Sequence, residues 1–196
     1  MQAYPMRADV PPAHDSVLAP RCVRAHGPLL IRRASALTGV FRSMTALFSI
    51  DLQAVRVVRA ESKTQILGAL ADCFSEVYGL DRATVLERIE ERETLGSTGF
   101  GRGVAIPHAR LDGLARPVAA FFRLEHPVDF ASSDGMPVDC VFGLLSPEQA
   151  GATHLQALAA ISRLMRDERM HERLIAAPGA DAIYALLVNV IDRDAA

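Results

Sequence analysis

Residues 92–110 read RETLGSTGFGRGVAIPHAR, with four glycines in eight positions and then a short apolar run that ends at Pro107 and His108. Because proline fixes its own φ and biases the preceding Ile106 towards extended backbone, we predict a strand over 104–106 that stops at the proline. The glycines predict either a hairpin that needs positive φ or bare backbone that comes close to another group. His108 is therefore expected at a strand end beside a loop, where reactive side chains are common.

Helical and strand patterns alternate around this stretch. ESKTQILGALADCFSEVYG predicts a helix capped by Ser62, with Gln65 three residues later, and stopped by Gly79; a second helix follows from the cap Asp81. Apolar runs predict further strands, and their near-continuous character is typical of strands that are covered on both faces. We therefore predict an α/β fold, with a mixed β-sheet flanked by helices on both faces. The remaining elements are strands at 55–58, 118–124 and 138–145 and helices at 153–166, within 169–177 and at 181–191.

The first 43 residues differ in composition from the rest of the chain. They hold five of the eleven prolines and six arginines against two acidic residues, and their hydrophobic periodicity is poor. Segments of this composition often do not fold by themselves. The alternative function, a basic arm that binds a partner, is supported by no motif in the segment. We predict a disordered or loosely ordered extension over 1–43, with Met44 as an alternative start, and one folded domain over 46–192.

Charge and cysteine content restrict the compartment and the partners. The chain has 21 basic and 23 acidic residues, so no net field favours nucleic acid or an anionic membrane. Cys22, Cys73 and Cys140 are scattered, which favours a reducing compartment and argues against a disulfide framework or a zinc site; we expect Cys73 and Cys140 to be buried. Neither a membrane span nor a signal peptide is evident. We predict a cytoplasmic protein with no metal, cofactor, nucleic-acid partner or membrane insertion.

The glycines fit neither of two standard phosphate-binding loops. A P-loop needs a lysine directly after its last glycine, but the one lysine of the chain, Lys63, lies elsewhere. A dinucleotide fingerprint needs G-x-G-x-x-G between a strand and a helix, whereas Gly99, Gly101 and Gly103 alternate and precede a strand. Nucleotide binding is disfavoured, and the scarcity of lysine is interpreted as a bias of the encoding genome.

Two of the six histidines have neighbours that suit an anion. His154 occupies the first turn of an amphipathic helix, where the helix dipole and free N–H groups favour negative charge. A guanidinium from Arg92 would suit a tetrahedral anion near His108. Together with the glycine loop, these residues predict a site that handles a phosphoryl group. The other four histidines are interpreted as structural or solvated: His14, His26, His126 and His171.

The same stretch resembles the type-2 enzyme IIA domains of the bacterial phosphoenolpyruvate:sugar phosphotransferase system (PTS), the fructose/mannitol class, which includes stand-alone nitrogen-regulatory proteins. The matching parts are R-E, L-G-S-T-G, a second glycine pair and V-A-I-P-H, followed downstream by T-H-L at 153–155, which opens a leucine-rich helix. The similarity covers roughly residues 46–192.

This resemblance implies roles for individual residues. His108 would accept a phosphoryl group on an imidazole nitrogen, His154 would stabilise that group, and Arg92 would offset its charge; neutral imidazole needs no metal for this reaction. Arg102 stands where many relatives carry a small polar residue, and we assign it no catalytic role. We expect the glycines to let two proteins bring their histidines within transfer distance. The loop near the site comprises Gly96, Ser97, Thr98, Gly99, Gly101 and Gly103.

Three functions remain open at this stage. The first is a phosphocarrier with a phosphohistidine intermediate, rather than an enzyme that turns over a small substrate. The absence of a IIB cysteine motif and of a IIC membrane segment favours its regulatory nitrogen branch. The expected partners are an HPr-like phosphocarrier (NPr) as donor and potassium-transport or sensor-kinase proteins as targets. The alternatives are the IIA subunit of a fructose/mannitol-type uptake system and a phosphorylation-independent binding regulator on the same fold, although a regulator would be free to lose His108, His154 and Arg92.

Overall fold

A computed structural model describes residues 47–193, so the predicted extension over 1–43 and the alternative start Met44 lie outside the described residues. This part of the chain contains six strands and five helices: one strand and two helices come first, then five strands in succession, then three helices. In chain order they are β1 (Ser49–Val58), α1 (Lys63–Tyr78), α2 (Arg82–Thr94), β2 (Gly99–Gly101), β3 (Val104–Ala105), β4 (His108–Leu111), β5 (Val118–Val128), β6 (Val138–Pro147), α3 (Ala152–Arg166), α4 (Glu168–Ala176) and α5 (Ala180–Arg193).

The six strands form one mixed sheet in the order β1-β5-β6-β3-β2, and β4 also pairs with β6. The β1–β5 pair is parallel and the β5–β6 pair antiparallel. Both β3 and β4 run parallel to β6, whereas β2 forms an antiparallel hairpin with β3. The central strand β6 therefore carries two short partners one after the other along the same edge.

Helices cover both faces of the sheet, as the sequence predicts. On one face Ala120 and Phe122 of β5 pack in an apolar cluster with residues of α1 and α2. On the other face their neighbours Ala119 and Phe121 pack in a second cluster with residues of α3, α4 and α5. Because side chains alternate along a strand, a sheet with two covered faces needs the uninterrupted apolar runs seen in β5 and β6.

The predicted helix ends are confirmed by their capping contacts. Ser62 Oγ accepts a hydrogen bond from the backbone N–H of Gln65 at 3.3 Å, and α1 ends where Gly79 takes the left-handed conformation with φ 68°. Asp81 caps α2, because its carboxylate accepts from the N–H of Thr84 at 2.9 Å. Cys73 and Cys140 are both fully buried, as expected.

The strand predictions are wrong in detail at two places. The first strand begins at Ser49 rather than at residue 55, with a change of register between Ile50 and Val55. Pro107 does interrupt the ladder, since it has no N–H to donate, but pairing resumes at once. His108 thus lies at a strand end, but as the first residue of β4, opposite Leu144 of β6, rather than after the last residue of β3.

Candidate active site

Arg92 lies in the last turn of α2, where the carbonyl end of the helix favours a cation. Its half-buried guanidinium makes two hydrogen bonds. Nη1 donates to the carbonyl of Gly96 at 3.0 Å, and Nε donates to Nε2 of His108 at 3.2 Å. One side chain therefore links the turn that follows α2 to the first residue of β4.

The two ring nitrogens of His108 have different partners. Nδ1 lies 2.8 Å from the carbonyl oxygen of Ile106, which can only accept, so Nδ1 carries the proton. Nε2 then holds the lone pair, consistent with the hydrogen bond that it accepts from Arg92. The backbone thus fixes the tautomer in which Nε2 is the nucleophilic nitrogen.

His154 lies in the first turn of α3 and is buried. Its Nδ1 is 2.9 Å from Oγ of Ser146, a fully buried residue near the end of β6. The imidazole ring is 5.6 Å from that of His108, centroid to centroid, with 49° between the ring planes. Gly151, which precedes α3, supplies no side-chain cap. Strand β6 therefore positions both rings, His108 through β4 and His154 through Ser146.

Both histidines are held in the neutral form. Burial, aided by the Arg92 guanidinium, lowers the pKa of His108, although the hydrogen bond to Ile106 and the carboxylate of Glu93 act in the opposite direction. Burial lowers the pKa of His154 to about 4, and His108 and Arg110 add to the shift. At neutral pH the site therefore presents an uncharged nucleophilic imidazole between a guanidinium and a second neutral ring.

The loop after α2 is fixed residue by residue. Gly96 is held by Arg92, and Ser97 Oγ donates to the carbonyl of Phe130 at 2.8 Å. The backbone N–H and the hydroxyl of Thr98 both donate to the buried carboxylate of Glu93, each at 2.7 Å. This part of the loop is consequently well anchored on the side that faces Arg92.

The next glycines give room to another segment of the same chain. A Cβ on Gly99 would lie 2.5 Å from Oγ and 2.7 Å from Cα of Ser132, and a Cβ on Gly103 would lie 2.9 Å from Oδ1 of Asp139. Gly101 and Gly103 also have positive φ, at 94° and 78°, in the β2–β3 hairpin. Of the two predicted explanations for the glycines, the hairpin and the close approach both apply, but the close approach is to the protein's own chain. Their role towards a second protein stays a prediction.

Arg102 is engaged at the tip of that hairpin. Its backbone has φ 55°, its N–H donates to Asp134 at 2.8 Å, and its guanidinium pairs with Glu168 at 3.1 Å. The side chain is 65% exposed, so the ion pair contributes little to stability. These contacts join the hairpin to the segment between β5 and β6 and to α4.

The sequence reasoning missed three residues that contact the site or its loop. Ser146 was detectable as a polar residue in the otherwise apolar run CVFGLLSP, and it is completely buried. Glu93 was noted only as part of the R-E motif, and nothing in the sequence indicated its burial. Lys63 was noted only as the single lysine of the chain, and its Nζ lies 2.7 Å from Oε1 of Glu93.

His171 has a defined partner, which its interpretation as a histidine without supporting neighbours did not anticipate. Its Nε2 lies 2.7 Å from Oδ1 of Asp139, and both side chains are about three-quarters buried. With the sulfur of Cys140 these donors lie within 4.8 Å of one another, the kind of grouping that could hold a metal. Burial, aided by the Asp139 carboxylate, raises the pKa of the Cys140 thiol. The hydrogen bond between His171 and Asp139 joins α4 to β6. His126 is exposed, and His14 and His26 lie outside the described residues.

The chain matches a known protein family over the part that contains Arg92, His108 and His154. Residues 48–190 match the family model for the phosphoenolpyruvate-dependent sugar phosphotransferase system, EIIA 2. The chain belongs to this family. The resemblance of the Arg92–His108 stretch to type-2 IIA domains is therefore confirmed, and membership implies interaction with the phosphocarrier proteins of that system.

Within the family, nitrogen regulatory proteins are among the more similar relatives. A nitrogen regulatory protein of Bradyrhizobium diazoefficiens is 48% identical over 130 residues, which is 66% of this IIA chain and 85% of the relative. A fructose-specific EIIA component of Haloferax volcanii is 36% identical over 112 residues, 57% of this chain and 73% of the relative.

A crystal structure shows the same fold. The nitrogen regulatory protein IIA-Ntr from Neisseria meningitidis superposes with a TM-score of 0.65 and 35% identity, covering 70% of this chain and 95% of that one. The predicted α/β fold of the fructose/mannitol type is thus confirmed. No helix within residues 47–193 is long and apolar enough to span a membrane.

Proposed function

We propose that this IIA protein is a phosphocarrier that accepts a phosphoryl group on Nε2 of His108 from a phosphorylated HPr-like carrier (NPr). The proposal places it in the cytoplasm as the regulatory component of a nitrogen-type phosphotransferase system. Potassium-transport or sensor-kinase proteins are the targets to examine first.

One observation carries this proposal. The Ile106 carbonyl holds the proton of His108 on Nδ1, so the lone pair stays on Nε2, where Arg92 Nε is 3.2 Å away. A nucleophile next to a guanidinium is suited to a tetrahedral dianion, which the planar fork of arginine binds well. His154 supplies a second ring 5.6 Å from that of His108.

The transfer step can be written without proton movement. The Nε2 lone pair of His108 forms the new N–P bond, while the N–P bond of the donor breaks and its electron pair returns to the donor imidazole. The ring of His108 gains positive character, which the Ile106 carbonyl at Nδ1 stabilises. Arg92 leaves Nε2 and pairs with the phosphoryl oxygens, since transfer of this kind depends on positioning and charge stabilisation.

Two exposed leucines support docking of a second protein at this place. Leu95 directly follows α2 and is 82% exposed, and Leu155 follows His154 and is 64% exposed. Exposed apolar side chains beside a reactive group are typical of a protein-binding surface. We propose that both leucines contact the donor.

The regulatory branch is favoured over sugar uptake by the higher identity to the Bradyrhizobium nitrogen regulatory protein than to the Haloferax fructose component. A phosphorylation-independent regulator is disfavoured, because such a protein would have no use for a fixed tautomer beside a guanidinium.

The deciding experiment is the intact mass of the protein after incubation with phosphoenolpyruvate, enzyme I and an HPr-like carrier. We expect one acid-labile phosphoryl gain in the wild type and in His154→Ala, and none in His108→Ala. No gain in any form, with a carrier shown to be phosphorylated, would refute the proposal and leave a binding regulator.

The branch is tested separately. The phosphorylated protein is mixed with a fructose-type IIB domain, and phosphoryl loss from His108 is followed with time. Retention of the group supports the regulatory branch, whereas rapid loss to the IIB cysteine supports the sugar-uptake alternative.

A further inference from the structure

A buried ion pair lies behind the site. Nζ of Lys63 is 2.7 Å from Oε1 of Glu93, and the two side chains are 27% and 5% exposed. The same carboxylate accepts both hydrogen bonds of Thr98, from its N–H to Oε1 and from its hydroxyl to Oε2. Glu93 is therefore the shared acceptor for a lysine at the start of α1 and a residue of the loop.

This pair is connected to His108 by an unbroken series of hydrogen bonds. Thr98, held by Glu93, accepts at its carbonyl from the N–H of Ile106 at 3.0 Å. Ile106 in turn accepts the Nδ1 proton of His108 at 2.8 Å. The series runs Lys63, Glu93, Thr98, Ile106, His108, and it ends on the bond that fixes the tautomer.

Lys63 also restrains the loop from a second direction. Its ammonium lies 4.8 Å from the centroid of the Phe130 ring, a cation–π contact, and the Phe130 carbonyl accepts from Ser97 at 2.8 Å. The residue adjacent to Glu93 in α2 is Arg92, so movement of Glu93 also affects the guanidinium at Nε2.

The positive charge of Lys63 compensates the negative charge of the buried Glu93 carboxylate. A buried carboxylate that loses its cation is strongly disfavoured and either becomes protonated or moves towards water. Either change weakens its hold on Thr98 and, through Ile106, on His108. From this geometry we infer that Lys63 is a positioning residue for phosphoryl acceptance, acting on His108 through Glu93 and Thr98; the inference rests on the proposed function of His108.

The test compares Lys63→Met, which removes the charge, with Lys63→Arg, which keeps it. Phosphoramidate serves as the phosphoryl donor, so that docking of a protein partner is not involved. We expect Lys63→Met to accept roughly tenfold more slowly, the low end of what outer-shell partners contribute at metal sites. Lys63→Arg should stay within about twofold of the wild type, since it retains the counter-charge.

A second readout separates positioning from loss of stability. The Ile106 hydrogen bond and the Glu93 charge both raise the pKa of His108. In Lys63→Met both effects weaken, so the NMR titration midpoint of His108 should fall below that of the wild type and remain unchanged in Lys63→Arg. An unchanged midpoint and rate in folded Lys63→Met would overturn the inference.

A double variant tests the route. Glu93→Gln replaces the carboxylate by a neutral amide, which needs no counter-charge. Adding Lys63→Met to this variant should therefore cause no further loss in the rate of phosphoryl acceptance. An equal tenfold loss in both backgrounds would show that Lys63 does not act through Glu93. Should the wild type accept no phosphoryl group from phosphoramidate or from the protein carrier, the proposed function fails, while the midpoint of His108 still tests the positioning.

Chemical modification keeps the test decisive if Lys63→Met does not fold. Lys63 is the only lysine of the 196-residue chain, so amine reagents modify it and the N-terminus alone. Acetylation removes its charge, whereas reductive methylation keeps it, and the N-terminus reacts in both samples. We expect the acetylated protein to lose the acceptance rate and the methylated protein to keep it; equal rates would contradict the inference.

Discussion

Arg92 donates its Nε–H to Nε2 of His108 at 3.2 Å, so the guanidinium occupies the position that an incoming phosphoryl group would take. The same guanidinium donates to the Gly96 carbonyl at 3.0 Å. A phosphoryl group on Nε2 would replace the neutral imidazole acceptor by anionic oxygens, with which the planar guanidinium can form a bidentate ion pair. The site is thus arranged to interact more strongly with the phosphorylated ring than with the free one.

Removing the guanidinium should impair acceptance and change the titration of His108. We expect Arg92→Ala to accept a phosphoryl group from phosphoramidate about 100-fold more slowly, the effect of losing one preorganised donor. Because Arg92 lowers the pKa of His108, that pKa should rise in the variant, as read by NMR. Arg92→Lys should recover only part of the rate, since an ammonium lacks the planar fork. Wild-type rates in Arg92→Ala would remove Arg92 from the mechanism.

The pH dependence of acceptance should follow the lowered pKa of His108. The ordinary value is 6.5, and burial moves the folded value below it. Neutral imidazole is the nucleophile, so His108 should be more than half deprotonated at pH 6.5 and become protonated only in more acidic solution. A two-dimensional ¹H–¹³C NMR titration of the ring, assigned with His108→Ala, measures this directly; a midpoint above 6.5 would contradict the prediction.

Stability should decrease on the acid side because of His154. The pKa of His154 is about 4 in the folded protein, against an ordinary value of 6.5. Between pH 4 and pH 6.5 the imidazole is therefore protonated in the unfolded state and neutral in the folded state. Unfolding free energy should therefore fall as pH drops from 6.5 to 4, by up to about 3 kcal/mol from this residue. Urea denaturation at several pH values checks this. In His154→Gln the decline should be shallower, and an equally steep decline would show that other groups cause it.

The sequence predicts the layers of the fold well because they depend on local patterns. Apolar periodicity and the caps Ser62 and Asp81 locate the first two helices, and continuous apolar runs locate β5 and β6. The two strands β2 and β4, of three and four residues, are too short for an apolar period to identify them. They form because the hairpin and Pro107 present their backbones to β3 and β6, which is a tertiary effect.

The residues of the candidate site were predicted individually, but their relationships were not. The sequence motif identifies Arg92 and His108, but it does not show that the Ile106 carbonyl fixes the tautomer of His108. The burial of Glu93 and its pairing with Lys63 depend on how α1 lies beside α2. The need for glycine at Gly99 depends on Ser132, far along the chain, and hence on packing that the sequence does not display.

Two buried serines offer a matched test of what a hydrogen bond contributes. Ser146 Oγ bonds Nδ1 of His154 at 2.9 Å, whereas Ser132 Oγ is buried with no hydrogen-bond partner among the described residues. Ser146→Ala should destabilise by about 1–3 kcal/mol, because it leaves a buried ring nitrogen unpaired. Ser132→Ala should be near neutral or stabilising, because it removes an unsatisfied hydroxyl. Chemical denaturation of the two variants measures the difference; equal losses would mean that the His154 bond contributes nothing.

A glycine pair tests whether the protein's own packing explains the glycine-rich stretch. A Cβ at Gly99 would collide with Ser132, at 2.5 Å from Oγ and 2.7 Å from Cα, whereas a Cβ at Gly68, inside α1, would meet nothing within 4 Å. Gly99→Ala should cost about 1–3 kcal/mol through overpacking. Gly68→Ala should gain about 0.5–1 kcal/mol, since alanine is the better helix former.

Thermal and urea unfolding of both glycine variants provide the measurement. The collision at Gly99 includes a backbone atom, so Ser132→Gly in the same chain should relieve it only in part. A Gly99→Ala protein as stable as the wild type would show that the loop can shift away from Ser132. The glycines would then be free to serve a docking partner. If Gly99→Ala is destabilised as expected, slower phosphoryl transfer in a Gly99→Val protein would follow from strain alone, and docking must be tested at Leu95 and Leu155 instead.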